Sequence, residues 1–360
     1  MSETLKELNR AKKKKKMLDY EWYKINSILG YSWAIFYFLV GGREAGKSYA
    51  VTNYFVNQFI KYGRPFYWVR LTDASQSKLL SNNAEKLVDP DLRRKYKLDL
   101  ITKGDKVYNI TERTEEGKVK KKVLMCHVLA LSTFYNDKGS GLYDKDFLND
   151  PNMYYNICFD EMNREKSEKK TFDIVYAFVN QMENIARSTK QRIRIICIGN
   201  LLEEASDMLT CLNFLPETFG RFKLKSRRAV IEYIEPTESY KKRRKGTIAD
   251  LLTPNESTFT NQIKADTALI YKGRLKKPTY LIKFSKEQSD WFTIWDGKVV
   301  AQYNKEKITV IAMQPYIDEL FNAKTRNSII EIFDARGFVY KNLVTFKLFQ
   351  KNLELLRPKR

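Results

Sequence analysis

Gly41, Lys47 and Ser48 belong to a glycine-rich segment with the spacing of a phosphate-binding loop. It fits the pattern G-x-x-x-x-G-K-[ST], and its eight residues are Gly41, Gly42, Arg43, Glu44, Ala45, Gly46, Lys47 and Ser48. Glycines let a backbone approach phosphate closely, and amides at the start of a following helix point at the anion. We therefore expect Lys47 to reach the β- and γ-phosphates of ATP and the Ser48 hydroxyl to bind Mg²⁺.

Two acidic residues supply the second half of such a site. The apolar run at residues 155–159 ends in Asp160 and Glu161. Asp160 at the carboxyl end of a strand is expected to hold Mg²⁺, directly or through water, and Glu161 to orient and deprotonate the attacking water. Two solvated acids at a strand end would explain the pair taken alone. Downstream of a phosphate loop, the catalytic interpretation is favoured.

A third apolar run, at residues 193–198, is followed by Gly199 and Asn200. Ligands gather at the carboxyl ends of parallel strands, so Asn200 is suited to sense the γ-phosphate. A turn asparagine after a strand explains the same residue equally well, and both interpretations stay open at this point.

The elements around these residues follow from hydrophobic spacing. Residues 33–40 predict a buried strand before the loop, and residues 49–62 predict a helix after it. Strands at residues 66–71, a charged-tip β-hairpin at 106–131 and a helix at 172–185 extend the pattern. The alternation of strands and helices predicts an α/β domain of the ASCE-type P-loop ATPase class, with a mostly parallel sheet.

The chain is predicted to contain three parts. Residues 1–235 form the ATPase domain with a basic N-terminal arm, and residues 236–258 form a polar, basic linker or lid. Residues 259–360 form a smaller α+β domain, whose acids have no clear metal-binding pattern. Its predicted strands cover 279–284, 291–295 and 298–303, with a hairpin turn at Asp296-Gly297, and its predicted helices cover 314–321 and 342–355.

The formal charge of +22 is the strongest bulk property of this chain of 360 residues. Chains this basic tend to bind polyanions, and nucleic acid is the first candidate. An acidic membrane surface is less favoured, because no amphipathic apolar face accompanies the basic runs. The basic residues cluster at 12–16, at Lys118, Lys120, Lys121 and Lys122, at Arg221, Lys223, Lys225, Arg227 and Arg228, and at 241–245.

Several classes of protein are disfavoured by composition. The sequence contains no apolar run of about 18 residues, so we expect no membrane span, and its charged start does not resemble a secretory signal. The four cysteines have no paired spacing and are expected to be buried as small apolar side chains. His127 is the only histidine, which argues against histidine-based zinc sites and His-dependent triads.

With these motifs in order, the chain resembles the DNA-packaging motor ATPases of small short-tailed bacteriophages, a terminase-like family of ring-forming P-loop ATPases. The similarity covers most of residues 30–255 and thins in the tail. It runs through FLVGGREAGKSYA, FIKYGRPFYWVR, ICFDEMNREK, IRIICIGN, NFLPETFGRFKL and ESYKKRRKGTIADLL.

The resemblance implies a function and an assembly. Members form a ring, usually a pentamer, at the portal vertex of an empty capsid in the host cytoplasm, and hydrolyse ATP to drive double-stranded DNA inward. The tail is then expected to resemble an RNase H-like nuclease that has lost its catalytic acids, and the basic lid to contact DNA and the neighbouring subunit. The resemblance leaves open whether a structural RNA belongs to the motor.

The resemblance also implies roles for three further cations. Arg187 matches the position of an arginine finger, which would reach the γ-phosphate bound by the neighbouring subunit. A cation complementing the dipole at a helix C-terminus is the simpler alternative for Arg187. Lys138 matches a second trans-acting basic residue, and Arg43 inside the loop is typical of viral packaging ATPases and is expected to contact phosphate within its own subunit.

Two other functional classes remain in view. A nucleic-acid-dependent ATPase of helicase or partition type would share the nucleotide site. However, helicases of the large superfamilies carry extra nucleic-acid motifs and usually a second ATPase-like domain, and neither is evident in the sequence. A DNA-binding protein whose nucleotide site only switches its conformation would also fit. Steady ATP turnover stimulated by DNA would exclude that last class.

Overall fold

The computed structural model describes residues 22–133, 154–163, 172–186, 192–200, 206–216, 218–248, 251, 269–276, 278–282, 290–296, 298–304, 323–335 and 337–356. The chain divides into two compact units. The first comprises Met1–Met208 and Thr218–Ile263, and the second comprises Leu209–Glu217 and Lys264–Arg360. The division differs in detail from the three predicted parts, because residues 209–217 join the second unit; the functional division into domain, lid and tail stays a prediction.

The first unit alternates strands and helices. In chain order its elements are α1 (Asn26–Leu29), β1 (Phe36–Val40), α2 (Lys47–Tyr62), β2 (Phe66–Arg70), α3 (Asp73–Ala84), α4 (Pro90–Tyr96), β3 (Leu100–Lys103), β4 (Lys106–Arg113), β5 (Val119–Ala130), β6 (Tyr154–Asp160), α5 (Ile174–Ala186), β7 (Arg192–Gly199), α6 (Asp207–Thr210), β8 (Gly220–Leu224), β9 (Ala229–Tyr233) and α7 (Glu238–Arg244).

A nine-stranded sheet organises this unit, in the order β3-β4-β5-β2-β6-β7-β1-β9-β8. Its centre is parallel, from β5 through β2, β6, β7 and β1 to β9. Val40 pairs with Gly199, and Asp160 pairs with Ile198, so the carboxyl ends of β1, β6 and β7 lie at one edge. The predicted α/β class with a mostly parallel sheet is confirmed.

Helix α2 shows why the residues around the loop fold as they do. Its apolar side chains Val51, Phe55, Val56 and Phe59 recur at helical spacing and are buried against the sheet. The rings of Phe55 and Phe66 lie 5.3 Å apart, between centroids. The helix ends at Gly63, whose φ of 70° is left-handed and whose amide donates to the Phe59 carbonyl. Packing of this face fixes the start of α2 under the phosphate loop.

The predicted β-hairpin is present as β4 and β5. Residues Cys126–Ala130 of β5 pair with β2, whereas the earlier part of β5 pairs with β4 alone among the described strands. The first five residues of β5 are exposed and the last six are buried. Strand β3, which pairs antiparallel with β4, was not predicted, because its four residues carry little hydrophobic periodicity.

The second unit contains a four-stranded sheet in the order β10-β11-β12-β13. Its elements are β10 (Pro278–Ile282), β11 (Asp290–Trp295), β12 (Val299–Asn304), α8 (Ala323–Asp334), β13 (Val339–Tyr340) and α9 (Leu343–Leu356). The predicted antiparallel hairpin joins Trp295 to Val299, while β13 pairs parallel with β12. Phe292, Phe338 and Phe349 form its buried core. These elements agree with an α+β domain, and the RNase H-like assignment stays a prediction.

Helix α8 was not predicted, and the helix predicted at residues 314–321 lies outside the described residues. Cys211 is exposed, which contradicts the expectation that all four cysteines are buried, because the helical turn preceding it ends at the surface; Cys126, Cys158 and Cys197 are buried in strands. Among the described helices, none combines the length and apolarity needed to cross a lipid bilayer.

Candidate nucleotide-binding site

The glycine-rich segment forms a loop between β1 and α2 at the carboxyl edge of the sheet. Gly46 precedes the helix with a φ of 85°, and Glu44 has a φ of 62°. A Cβ on Gly46 would lie 2.9 Å from Cε3 of Trp22, so both space and backbone conformation select glycine there. The first amides of α2 lack intrahelical partners and face the loop, which makes this helix start suited to an anion.

A cavity of about 380 Å³ opens beside the loop. It brings together nearly all of the predicted site residues that the structure describes. It is lined by Arg43, Glu44, Ala45, Gly46, Lys47, Ser48, Tyr49, Asp160, Glu161, Ile198 and Asn200. Gly41 and Gly42 contribute through their carbonyl oxygens, which accept hydrogen bonds from the Lys47 ammonium.

Lys47 is almost fully buried at the base of this cavity. Its Nζ donates to the carbonyl oxygens of Gly41 at 2.8 Å and Gly42 at 2.6 Å, and lies 3.5 Å from Oδ1 of Asn200. The pKa of Lys47 is lowered to about 8, mainly by burial, with the Asp160 charge opposing this effect and the Arg43 charge adding to it. Neutral carbonyl oxygens therefore hold the ammonium in position, and a negatively charged phosphate oxygen can replace them as the hydrogen-bond acceptor.

Ser48 and Asp160 meet across the cavity from different elements. The Ser48 hydroxyl donates to Oδ1 of Asp160 at 3.3 Å, and the amide of Glu161 donates to the same oxygen at 3.1 Å. Burial raises the pKa of Asp160, while the charges of Arg70 and Lys47 lower it. Carboxylate and hydroxyl oxygens are the ligands that Mg²⁺ prefers, so this pair fits a magnesium ion beside the phosphate loop.

Glu161 differs from Asp160 in exposure and backbone conformation. Its side chain is half exposed, and its φ of 57° is unusual for a residue with a side chain. This conformation turns the chain sharply after β6, and both acids line the cavity. The arrangement gives one buried carboxylate suited to a metal and one solvent-accessible carboxylate suited to a water molecule.

Arg70 is a site residue that sequence reasoning missed. It ends β2, the strand beside β6, and its NH1 lies 3.2 Å from Oδ2 of Asp160 and 2.9 Å from Oε2 of Glu161. Its side chain is only 11% exposed, so the guanidinium pairs with Asp160 in a largely desolvated setting and also contacts the half-exposed Glu161. In the sequence, Arg70 is visible only as a cation at the end of the apolar run of β2. Its acidic partners depend on the order of the strands in the sheet, which places β2 beside β6.

Helix α7 contacts the outside of the phosphate loop. The Tyr240 hydroxyl donates to the Arg43 carbonyl oxygen at 2.9 Å, and Arg243 donates to the Glu44 carbonyl oxygen at 3.2 Å. Arg244 forms an ion pair of 3.2 Å with the Glu44 carboxylate. The predicted basic lid segment therefore begins with a helix that holds two loop residues, a contact that the sequence did not reveal.

Asn200 lies where the cavity meets the end of β7. Its backbone oxygen accepts from Asn163 Nδ2 at 3.2 Å, and its side-chain oxygen faces Lys47. A Cβ on the preceding Gly199 would lie 2.7 Å from Cε of Met162, which explains the close approach of the two chain segments there. The position suits contact with a terminal phosphate, and the sensor role stays a prediction. Lys138 and Arg187, the two predicted trans-acting cations, lie outside the described residues.

The fold and the site together define a class of protein. A parallel sheet carries a glycine-rich loop after β1 and a carboxylate at the end of β6, with β7 between them. This is the α/β fold of P-loop ATPases of the predicted ASCE type. Within that class, residues 17–332 match the family described as Podovirus DNA encapsidation protein (Gp16), and the chain belongs to that family.

Individual relatives agree with the family assignment. The DNA packaging protein of Bacillus phage phi29 is 27% identical over 267 residues, which cover 72% of this chain and 71% of that protein. The DNA packaging protein of Bacillus phage B103 is 24% identical over 256 residues, covering 68% and 69%. A chain in the solved structure of the bacteriophage Phi-29 viral genome packaging motor assembly has the same fold. It has a TM-score of 0.60 and 21% identity, with 93% of this chain and 99% of that chain covered.

Proposed function

We propose that this chain is an ATP-hydrolysing motor that moves double-stranded viral DNA into a preformed capsid. Membership of a DNA encapsidation family supports DNA packaging as the process in which the chain acts. The observation that carries the chemistry is the meeting of Lys47 and Ser48 with Asp160 and Glu161 around one cavity of about 380 Å³. ATP is the proposed nucleotide and Mg²⁺ the proposed metal.

The residues of the cavity divide the work of phosphoryl transfer. The loop amides and Lys47 bind and orient the β- and γ-phosphates, while Ser48 and Asp160 would hold Mg²⁺. When bound, that ion supplies charge neutralisation between phosphate oxygens. Glu161 orients a water molecule and accepts its proton. Asn200, 3.5 Å from Lys47, contacts the terminal phosphate in this proposal.

The complete active site is proposed to form between subunits of a homo-oligomeric ring, expected to be a pentamer. Arg187 would serve as the arginine finger of the neighbouring site, and Lys138 as a second cation acting in trans. The ring would work in the host cytoplasm, transiently docked on the capsid portal. The solved motor assembly of a relative supports a multi-subunit arrangement.

ATPase activity with and without double-stranded DNA, measured across protein concentration, tests this proposal. We expect DNA to stimulate turnover, and turnover to rise faster than linearly with concentration because sites form between subunits. Lys47→Ala should reduce turnover by at least about 100-fold, since an essential phosphate contact is removed. Normal hydrolysis by a folded Lys47→Ala variant would contradict the site assignment.

Strand separation on forked DNA and steady ATP turnover separate the proposal from the two other classes. A helicase would separate forked duplex strands during turnover, whereas a packaging motor would move along the duplex without unwinding it. A protein that only switches conformation would bind nucleotide without sustained turnover. Family membership favours the packaging function over both.

A further inference from the structure

Three of the four basic clusters named in the sequence analysis lie within the described residues, and two of them form two ion pairs each with acids of this chain. On the β4–β5 hairpin, Lys118 pairs with Glu116, Lys120 pairs with Glu112, and Arg113 pairs with Asp99. On α7, Lys241 pairs with Glu238 and Arg244 pairs with Glu44. Such cations contribute less to a long-range positive field than their number suggests.

The third cluster is compensated far less, and we name it the β8 edge cluster. Its five cations lie within eight residues, and the segment from Gly220 to Arg228 contains no acid. Its only ion pair with the described part of the chain joins the first cation to Glu232 on β9. The members are Arg221, Lys223, Lys225, Arg227 and Arg228.

Arg221 and Tyr31 anchor this cluster. Arg221 donates to Oγ of Ser27 at 2.8 Å and lies 2.8 Å from Oε1 of Glu232. The Tyr31 ring centroid lies 4.7 Å from Nζ of Lys223 and 5.7 Å from Cζ of Arg221. The half-buried Tyr31 ring contacts both cations of the strand, and the four members other than Arg221 are exposed.

The position of the turn separates its cations from the nucleotide cavity. β8 is the terminal strand of the nine-stranded sheet, and the turn of Lys225–Arg227 precedes β9. Because β9 runs parallel to β1, this turn lies at the edge opposite the phosphate loop. The five residues of β9 span about 17 Å between the two edges. Charge changes in the turn therefore leave the cavity's contacts in place.

We propose that the β8 edge cluster binds the phosphate backbone of double-stranded DNA. The inference rests on the proposed packaging function and names a surface for its polyanion. Exposed, uncompensated lysine and arginine side chains release counterions from DNA and give affinity without sequence preference. That property suits a motor that must pass every sequence of a genome.

Edge protection is the competing explanation for these cations. Lysines on an exposed edge strand prevent pairing with other strands, which would account for Lys223 on β8. It would not account for Lys225 and Arg227, which lie in the turn beyond the strand. An explanation by edge protection predicts aggregation, rather than lost DNA affinity, when these charges are removed.

The test compares two charge-matched triple variants of the full chain. The patch variant is Lys223→Gln, Lys225→Gln and Arg227→Gln, and the control is Lys118→Gln, Lys120→Gln and Lys121→Gln on the hairpin. Affinity for a mixed-sequence DNA duplex is measured across salt concentration. For the patch variant we expect at least about 10-fold weaker binding and a log–log salt slope smaller by about 3, one for each lost phosphate contact. The hairpin control should change both quantities much less.

Two accompanying measurements keep the outcome unambiguous. Binding of a fluorescent ATP analogue should be unchanged in the patch variant. If the triple variant fails to fold, the single variant Lys225→Glu, in an exposed turn, should reproduce part of the loss of DNA affinity. Equal losses in patch and control variants would overturn the inference, because net charge alone would explain them. Unchanged DNA binding in the patch variant would overturn only the inference about the β8 edge cluster. A wild-type chain without DNA affinity would overturn the proposed function as well.

Discussion

At the scale of single residues, the site places charged groups where water cannot fully solvate them. Lys47 is almost fully buried, and Asp160 is buried beside it with Arg70 and Ser48 as its direct partners. Buried charges are costly unless paired, so these groups are poised for ligands of the opposite charge. Their ionisation states should therefore respond to pH and to the loss of a partner.

The pH dependence of nucleotide affinity follows from Lys47. Its pKa is lowered to about 8 from an ordinary value of 10.5. Above pH 8 the free protein loses the ammonium that is proposed to bind phosphate, so ATP affinity measured without divalent metal should fall by up to about 10-fold per pH unit. A binding titration from pH 7 to 10 checks this. Lys47→Arg keeps its charge throughout, and any binding it retains should be independent of pH; an identical pH profile in both proteins would contradict the assignment.

The same shift predicts how stability changes with pH. Below pH 8 the folded and unfolded chains both carry the Lys47 proton. Between about 8 and 10.5 the unfolded chain binds more protons at this residue, so its contribution to stability rises with pH in that window.

Removing Arg70 should destabilise the folded chain. Arg70→Ala leaves Asp160 buried without its guanidinium partner, at an expected cost of about 3 kcal/mol. Urea unfolding checks this value. Combining it with Asp160→Asn, which removes the stranded charge, should recover part of the loss. Additive losses in the double variant would show that the two side chains do not interact in solution.

At the scale of elements, α7 determines the conformation of the phosphate loop from outside. Tyr240 and Arg243 do not line the cavity, but they donate hydrogen bonds to the carbonyl oxygens of Arg43 and Glu44. These contacts fix the left-handed Glu44 and with it the directions of the loop amides. We therefore expect this helix, which lies outside the glycine-rich loop, to aid phosphate binding by preorganising the loop.

Tyr240→Phe tests this element directly. The change keeps the ring and removes one hydrogen bond of about 1 kcal/mol, so nucleotide affinity should fall about fivefold with the fold intact. Calorimetric titration with an ATP analogue measures the effect. Tyr62→Phe, at the partly exposed end of α2, is the matched control and should leave affinity unchanged. Equal affinity in both variants would remove the proposed role of α7.

At the scale of the whole molecule, the proposed active site is shared between subunits. Arg187→Ala should bind ATP without hydrolysing it, and so should Glu161→Gln, because one lacks the finger and the other the base. Mixing the two variants should restore some turnover at interfaces that combine an intact Arg187 with an intact Glu161. Turnover measured across mixing ratios checks this, and no rescue at any ratio would argue that Arg187 acts within its own subunit.

Much of the cavity could be predicted because its residues follow one another along the chain. The phosphate loop depends on local geometry: a strand, glycines that permit positive φ, and a helix start. Asp160 and Glu161 could be recognised because an apolar run ends at them, and Asn200 for the same reason. Parallel strands bring their carboxyl ends to one edge, so these three segments meet whatever the details of packing.

Other contacts could not be predicted, since nothing local to them encodes their partner. Arg70 reaches Asp160 across 90 residues because β2 lies beside β6, and Tyr240 reaches Arg43 across 197 residues. Strand order and helix docking arise from the competition of all apolar surfaces for burial, which depends on the whole chain. The sequence by itself determined the phosphate loop, the acid pair, the α/β class and the positive charge. Only the tertiary structure decided which cations face which acids, and therefore that Arg70 and α7 contact the proposed nucleotide site while four members of the β8 edge cluster have no ion pair with the described residues.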